Sequence, residues 1–318
     1  MKENSNFEQL LPNLVKNISD NYNTSDVLLG RTTKPLPARR VIIDAVNELQ
    51  SILFPGFFNL EQVSTLNAGY YIGQRLSLLH TIIKEQIALA LAYEAEPDVS
   101  ATDSSILTQA EEICCRFFAT FPTIQELLLL DAKAGYDGDP AALNKEQIIF
   151  SYPGFYATFV YRIAHELYKE HVPFIPRIMT EHAHSRTGID INAGATIGKY
   201  FFMDHGTGIV IGETTIIGDY VKLYQGVTLG ALSTRGGQHL AGVKRHPTIG
   251  DRVTIYSNAS VLGGETVIGS DSVIGGGAFI TCSIPSNTRV SVTPPEQSIK
   301  NGAAHNTDLS ANEYIYEI

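Results

Sequence analysis

"IGETTIIGDYVKLYQGVTLG", residues 211–230, carries an aliphatic residue at every sixth position: Ile211, Ile217, Leu223 and Leu229. A period of six is neither the 3.6 of an α-helix nor the simple alternation of a strand. Small or β-branched residues sit four positions further on, at Thr215, Val221 and Val227, and glycine follows both isoleucines of the series, at Gly212 and Gly218. Upstream, Ile191, Ile197, Met203 and Ile209 keep the same step, with a two-residue slip before Ile211. Downstream, Ile249 and Ile255 resume it, and after a slip of one it runs on as Leu262, Ile268, Ile274 and Ile280. The pattern predicts a parallel β-helix in which three short strands complete each coil of about 18 residues. The aliphatic residue points inward and the glycine eases the corner. "ALSTRGGQHLAGVKRH", residues 231–246, breaks the series. It is polar, basic and glycine-rich, and reads as a loop extruded from one coil. Long loops inside regular repeats are usually functional.

The first part of the chain follows a different period. FEQLLPNLVKNI, ARRVIIDAVNELQSIL, LSLLHTIIKEQIALALAYE, ILTQAEEICCRFFATF and TIQELLLLDAKA place apolar residues three and four apart, which predicts helices. A last helix, GFYATFVYRIAHELYKEH, is expected to stop before Pro173 and Pro176. The expected organisation is α+β and multidomain: an all-α assembly domain over 1–185, the β-helix over 186–292, and a polar tail over 293–318. The helical part holds no phosphate loop, metal spacing or nucleophile signature.

The chain has 318 residues, 44% of them hydrophobic, and a formal net charge of −10. That balance disfavours nucleic acid or an anionic membrane as the main partner. No apolar run approaches the roughly 20 residues of a membrane span, and the N-terminus lacks the pattern of a signal peptide. Three cysteines, two of them adjacent (Cys114 and Cys115), make no disulfide framework. A reducing, cytoplasmic location is expected.

Within the repeats, "FFMDHGTGIVIGET", residues 201–214, sets Asp204, His205 and Glu213 into a stretch patterned for burial. His205 follows inward-facing Met203 and so lies near a corner. Asp190 stands 15 residues earlier, on a neighbouring coil, where a carboxylate can fix the tautomer of an imidazole. A solvated corner histidine and a turn-capping aspartate are the plainer readings of each residue alone. Lys244, Arg245 and His246 close the extruded loop, either as a solvated loop end or as an anion clamp beside a second imidazole.

DIxxxAxIGxxxxxDHxTGIVIGET from Asp190, then VTLG, the glycine-rich loop, RHP and renewed hexads, together resemble the serine O-acetyltransferase family. The likeness runs from about Asp139 to about Val290 and includes DPA at 139–141 and YRIAH at 161–165. The resemblance implies a left-handed β-helix, a homotrimer or dimer of trimers, and acetyl-CoA as co-substrate without a metal. It implies His205 as general base with Asp190 orienting it, and Arg245 on the serine carboxylate. It sets Asp139 and Asp204 on the ammonium and His246 near the hydroxyl, with His205 and Arg245–His246 contributed by adjacent subunits. Gly230, Ala231, Ser257 and Gly276 are expected along the CoA arm. The resemblance further implies feedback inhibition by L-cysteine. A C-terminal isoleucine, here Ile318, would enter the active site of O-acetylserine sulfhydrylase. The chain departs from the family in its long loop before Arg245, in Val273 where many members carry lysine, and in SVTPPEQSIKNG after the β-helix.

The chemistry is consistent. A neutral alcohol needs a general base to attack a thioester, and an imidazole with an ordinary pKa near 6.5 suits that role at neutral pH. Three alternatives stand beside it. One is a hexapeptide acetyltransferase with another hydroxyl or amino acceptor. Another is a zinc carbonic anhydrase of the γ type using His205, His239 and His246, although that spacing is too wide. The third is an inert trimeric scaffold.

Overall fold

The computed structural model describes residues 7–24, 28, 34–59 and 67–293. Helices α1 (Phe7–Thr24), α2 (Arg39–Leu53), α3 (Pro55–Phe58), α4 (Ala68–Glu94), α5 (Ser104–Ala119), α6 (Phe121–Gly138), α7 (Lys145–Ser151), α8 (Pro153–Lys169) and α9 (Ile175–Thr187) come first. Apolar spacing explains the long ones. Ile42, Val46, Leu49 and Leu53 bury one side of α2, Leu79, Ile83, Ile87 and Ala90 one side of α4, and Ala110, Ile113, Cys114 and Phe117 one side of α5. Each fully buried Leu, Ile or Phe is worth about 1.5–3 kcal/mol of transfer free energy. By composition, Ser104–Gly138 is long and apolar enough to cross a membrane. Its helix breaks at Thr120, and Phe121, Ile124 and Leu128 are core residues.

Among the helices, the four-residue α3 and two further ones, α7 and α9, escaped the sequence pattern. Helix α9 begins where Pro173 and Pro176 were expected to end helical structure; Pro176 occupies its first turn, where the missing N–H would have no intrahelical partner anyway. Helix α7 is too short for periodicity to reveal. It opens on an N-cap in which Asn144 accepts from the Gln147 N–H (2.8 Å), and the Gln147 side chain accepts from the N–H of the preceding Leu143 (2.8 Å).

The strands follow in repeating threes. β1 (Asp190–Ile191), β2 (Thr196–Ile197) and β3 (Phe202–Asp204) make the first coil, and β4 (Val210–Ile211), β5 (Ile216–Ile217) and β6 (Lys222–Tyr224) the second. β7 (Thr228–Gly230), β8 (Thr248–Ile249) and β9 (Thr254–Ile255) make the third, interrupted by the extruded loop, and β10 (Ser260–Leu262), β11 (Val267–Ile268) and β12 (Val273–Ile274) the fourth. β13 (Phe279–Ile280) and β14 (Arg289–Val290) close the stack. All pairings are parallel. Face one is β1-β4-β7-β10-β13, face two β2-β5-β8-β11, and face three β3-β6-β9-β12-β14. Ile191, Ile211 and Leu229 form one inward ladder, and Met203, Leu223 and Ile255 another, all almost fully buried.

The slips in the hexads resolve into corners. From Met203 on face three the next face-one core residue is Ile211, not Ile209, so the surplus residues lie at the corner that holds His205. Ile209 is buried at that corner, in register with Val227. The expected inward position of Leu262 is instead taken by Val261, which is fully buried and six residues after Ile255. The extra residue falls at the next corner, at Gly263.

Division by packing does not follow division by secondary structure. Residues up to 121 with 166–179 form one compact unit, and residues 122–165 with 180 onward a second. Within the second, α6 and α8 are tied to the first coil. Arg162 and Asp131 form a buried ion pair (Nε–Oδ2 2.6 Å, Nη2–Oδ1 2.9 Å), with side chains 4% and 2% exposed. Asp131 also accepts from the Phe201 N–H (2.9 Å), and Arg162 donates to the Gly198 carbonyl (2.8 Å). Tyr161 donates to the Ala195 carbonyl (2.6 Å), and His165 Nδ1 lies 2.7 Å from the Ala193 carbonyl. Removing one partner of such a pair strands a buried charge. Asp131→Asn should therefore cost about 3–5 kcal/mol, seen as a lower urea midpoint. An unchanged midpoint would show that the pair does not hold α6 and α8 to the coil.

Candidate active site

Asp204 ends β3 and His205 follows it at the corner between faces three and one. His205 has φ +57°, an uncommon left-handed conformation for a residue with a side chain. Asp204 is buried, whereas the His205 side chain is 67% exposed, with Nε2 3.9 Å from Asp204 Oδ1. Asp190 starts β1, in register with Val210. Its carboxylate makes no ion pair with His205 among the described residues, and Asp204 is the carboxylate paired with that ring. The corner itself does stack on the preceding coil, since the Gly208 N–H donates to the Gly188 carbonyl (2.8 Å).

Around Asp204 the fold assembles residues that the sequence leaves far apart. Lys222 on β6 sets its ammonium 3.7 Å from Asp204 Oδ2 and donates to the Gly138 carbonyl at the end of α6. Asp139 follows directly, with Oδ1 accepting from the Ala141 N–H (2.8 Å) and Oδ2 from the Tyr152 hydroxyl. Burial pushes the Asp139 carboxyl up. The hydrogen bonds from Tyr152 and Ala141 and the charges of Lys222 and His205 outweigh burial and hold it below the usual range. Sequence reasoning missed Tyr152 and Lys222. Lys222 was legible as an outward position on a strand, but nothing local marks either residue as a neighbour of Asp139.

The corners between faces three and one form a column. The Gly226 N–H donates to the Thr207 carbonyl (3.0 Å), Asn258 to Gln225 (2.9 Å) and Gly277 to Ser257 (2.8 Å). Ser257 and Gly276, two of the expected CoA-binding residues, are thus neighbours on the edge that carries His205.

Arg245 and His246 stand on a different edge, between faces one and two, with Glu213, Thr214 and the start of the extruded loop. Gly230 and Ala231 begin that loop; Gly230 pairs with Leu262 at the end of face one. Arg245 forms an ion pair with Glu213 and donates to the Leu240 carbonyl (3.1 Å). The Thr214 hydroxyl accepts from the backbone N–H groups of Arg245 (2.9 Å) and His246 (3.1 Å). His246 Nδ1 accepts from the Thr214 N–H (3.1 Å). Its ring lies where a side chain at position 212 would be, 2.1 Å from an ideal Cβ there, so only glycine fits beneath it. Glu213 and Thr214 therefore hold the Arg245–His246 end of the loop to the second coil.

His205, His239 and His246 do not gather in one chain. Among the described residues the ligand-type side chains that cluster are His80, Glu111 and Cys115 in the helical unit. There Lys84 pairs with Glu111 at 3.0 Å and His80 with its other oxygen at 3.0 Å, an ion-pair network complete in itself.

Six-residue periodicity, three parallel faces and ionisable groups concentrated at two corners define a hexapeptide-repeat β-helix of the acyltransferase class. The chain is 42% identical over 269 residues to the plasmid serine acetyltransferase of Synechococcus elongatus, covering 83% of this chain and 84% of that one. It is 41% identical over 184 residues to serine acetyltransferase of Bacillus subtilis, covering 58% and 82%. Its fold matches crystal structures of Entamoeba histolytica serine acetyltransferase isoform 3 in complex with cysteine (TM-score 0.69, 39% identity, 81% of this chain and 84% of that one) and Neisseria gonorrhoeae serine acetyltransferase in complex with serine (TM-score 0.52, 26% identity, 79% and 95%). No protein-family model matches. The chain belongs to the serine acetyltransferase family, and its solenoid is the left-handed β-helix of that family.

Burial pushes the His246 imidazole down to about 4, with the Arg245 and Lys244 charges acting in the same direction and Glu213 against them. An unfolded imidazole takes up its proton near 6.5. Between those values the unfolded chain binds the extra proton, so His246 contributes stability that is lost as pH falls from about 6.5 toward 4. The His246 ring resonances should accordingly stay those of neutral imidazole down to pH 5. A midpoint near 6.5 by NMR titration would contradict the buried, hydrogen-bonded placement.

Proposed function

We propose that the chain transfers acetyl from acetyl-CoA to the hydroxyl of L-serine, giving O-acetyl-L-serine for cysteine biosynthesis. His205 takes the hydroxyl proton as the oxygen attacks the thioester carbon. The C–S bond then breaks and the imidazolium returns its proton to the CoA thiolate. No acyl-enzyme forms. In the single chain the His205 ring pairs with Asp204; in the catalytic state Asp190, at the start of β1, takes the second ring nitrogen. Arg245 takes the substrate carboxylate by paired hydrogen bonds, Asp139 and Asp204 take its ammonium, and His246 lies by the hydroxyl. General acid–base catalysis of this kind is worth roughly 10²–10⁴-fold. Positioning supplies the remainder.

The observation that carries this reading is the separation of the two clusters. His205, Asp204 and Asp139 stand at one edge of face one, and Arg245 and His246 at the other. One hexad of face one separates the two corners, roughly 20 Å if its six residues were fully extended. One serine cannot touch both in a single chain. A trimer resolves this by setting the His205 edge of each chain against the Arg245 edge of its neighbour. The acetyl-CoA arm then runs in the groove between them, past Ser257 and Gly276 of one chain and Gly230 and Ala231 of the next. L-cysteine, isosteric with serine, competes for the same charged groups. A cytoplasmic location suits the free thiols and the supply of acetyl-CoA.

Thiol release from acetyl-CoA should be fast with L-serine and slow with L-homoserine or simple sugars. A preference for a sugar or amine would favour the wider class of hexapeptide acetyltransferases. His205→Ala and Arg245→Ala should each lower turnover by two orders of magnitude or more, and co-refolding the two inactive chains should restore part of it. Failure of every mixed preparation to regain activity would sink the shared site.

The C-terminal residue Ile318 lies outside the described residues. By the resemblance to the family, Ile318 is the residue through which the chain binds O-acetylserine sulfhydrylase, its apolar side chain entering a site built for an amino acid. Deleting Ile318 should abolish binding in calorimetry and leave acetyl transfer intact; equal binding by the truncated chain would exclude the tail as anchor.

A further inference from the structure

We infer that Tyr152 is a positioning residue for recognition of the substrate ammonium, acting through Asp139. The inference rests on the serine acetyltransferase reading and deepens it.

Asp139 sits just past the end of α6, in a turn with no regular structure of its own, and must nevertheless present its carboxylate with fixed geometry. Its two oxygens are restrained separately. Oδ1 is held by the Ala141 N–H, which belongs to the same turn and moves with it. Oδ2 is held by the Tyr152 hydroxyl, 13 residues on and at the start of α8. Tyr152 is thus the contact that ties the carboxylate to a different element.

That element is itself fixed against the site. Gly154 approaches β3 so closely that an ideal Cβ on it would lie 2.6 Å from the Met203 carbonyl oxygen. The α8 terminus therefore lies flush on the residue before Asp204. Lys222 completes the brace from the other side, donating to the Gly138 carbonyl while its ammonium lies over the rings of Phe202 (5.3 Å) and Tyr224 (4.6 Å). The aromatic contacts and the Gly138 carbonyl hold Lys222 at 3.7 Å from Asp204 rather than in full contact.

The chemistry of the Tyr152 hydroxyl suits a fixed donor. Burial, the hydrogen bond to Asp139 and the charges of Asp139 and Asp204 push it up to about 12, so it remains protonated and can only donate to that carboxylate. With Oδ2 accepting from Tyr152 and Oδ1 from Ala141, the carboxylate is held at both oxygens and each keeps a lone pair for a further donor. A cation entering there meets a carboxylate that does not have to reorganise.

Tyr152→Phe keeps the ring and removes the donor. With purified full-length enzyme, the serine KM should rise about five- to tenfold, while the acetyl-CoA KM stays within about twofold and the thermal midpoint is unchanged. Asp139→Asn should also raise the serine KM, and the double variant should be little worse than Asp139→Asn alone, because Tyr152 acts only through that carboxylate. An unchanged serine KM in Tyr152→Phe, or additive effects in the double variant, would overturn the inference. So would equal losses for both substrates with a lowered thermal midpoint, which would mark Tyr152 as a packing residue. A wild-type chain that turns over no serine would instead overturn the underlying reading.

Discussion

The open end of the β-helix is the constraint on which the rest of the second unit depends. Every coil satisfies its backbone from the next one, but the first coil has no coil before it. Its carbonyls at Ala193, Ala195, Ile197 and Gly198 would otherwise be an unpaired edge. Tyr161, Arg162 and His165, successive residues on one side of α8, donate to that edge. Arg162 can be buried there because Asp131 of α6 neutralises it. The same capping fixes α8, and with it Tyr152 and the Asp139 carboxylate that Tyr152 holds. Stability and site geometry thus share one set of contacts.

The solenoid supplies the second half of the logic. A hexad core tolerates irregularity at corners because corner residues contribute little to the inward ladders. The chain uses this freedom in three places: the widened corner at His205, the extruded loop ending in Arg245–His246, and the extra residue near Gly263. Two of the three carry the ionisable groups. The strained φ of His205 is affordable because Ile209 and Ile211, on the far side of the corner, are fully buried.

Electrostatically the two edges differ. One holds Asp139 and Asp204 with Lys222 as a partial counter-charge. The other holds Arg245, steadied by Glu213, beside a neutral buried His246. Glu213 answers the puzzle of an acid within a buried run: it orients the cation that closes the loop.

The period of six and the helical period before it were legible in the sequence alone, because they are set by which residues can be buried at each step of a regular repeat. The DHGTGIVIGET and RHP motifs singled out Asp204, His205, Arg245 and His246 through their resemblance to the family. Regular periodicity does not decide where the surplus residues fall, so it points to Leu262 where Val261 is the inward residue, and a proline in a first turn hides α9. Nor could it pair Asp139 with Tyr152, Asp204 with Lys222, or Arg245 with Glu213. Those contacts join coils and helices far apart in the chain. They arise from the stacking of one coil on the next and from the seating of α8 against Met203, which local sequence does not encode.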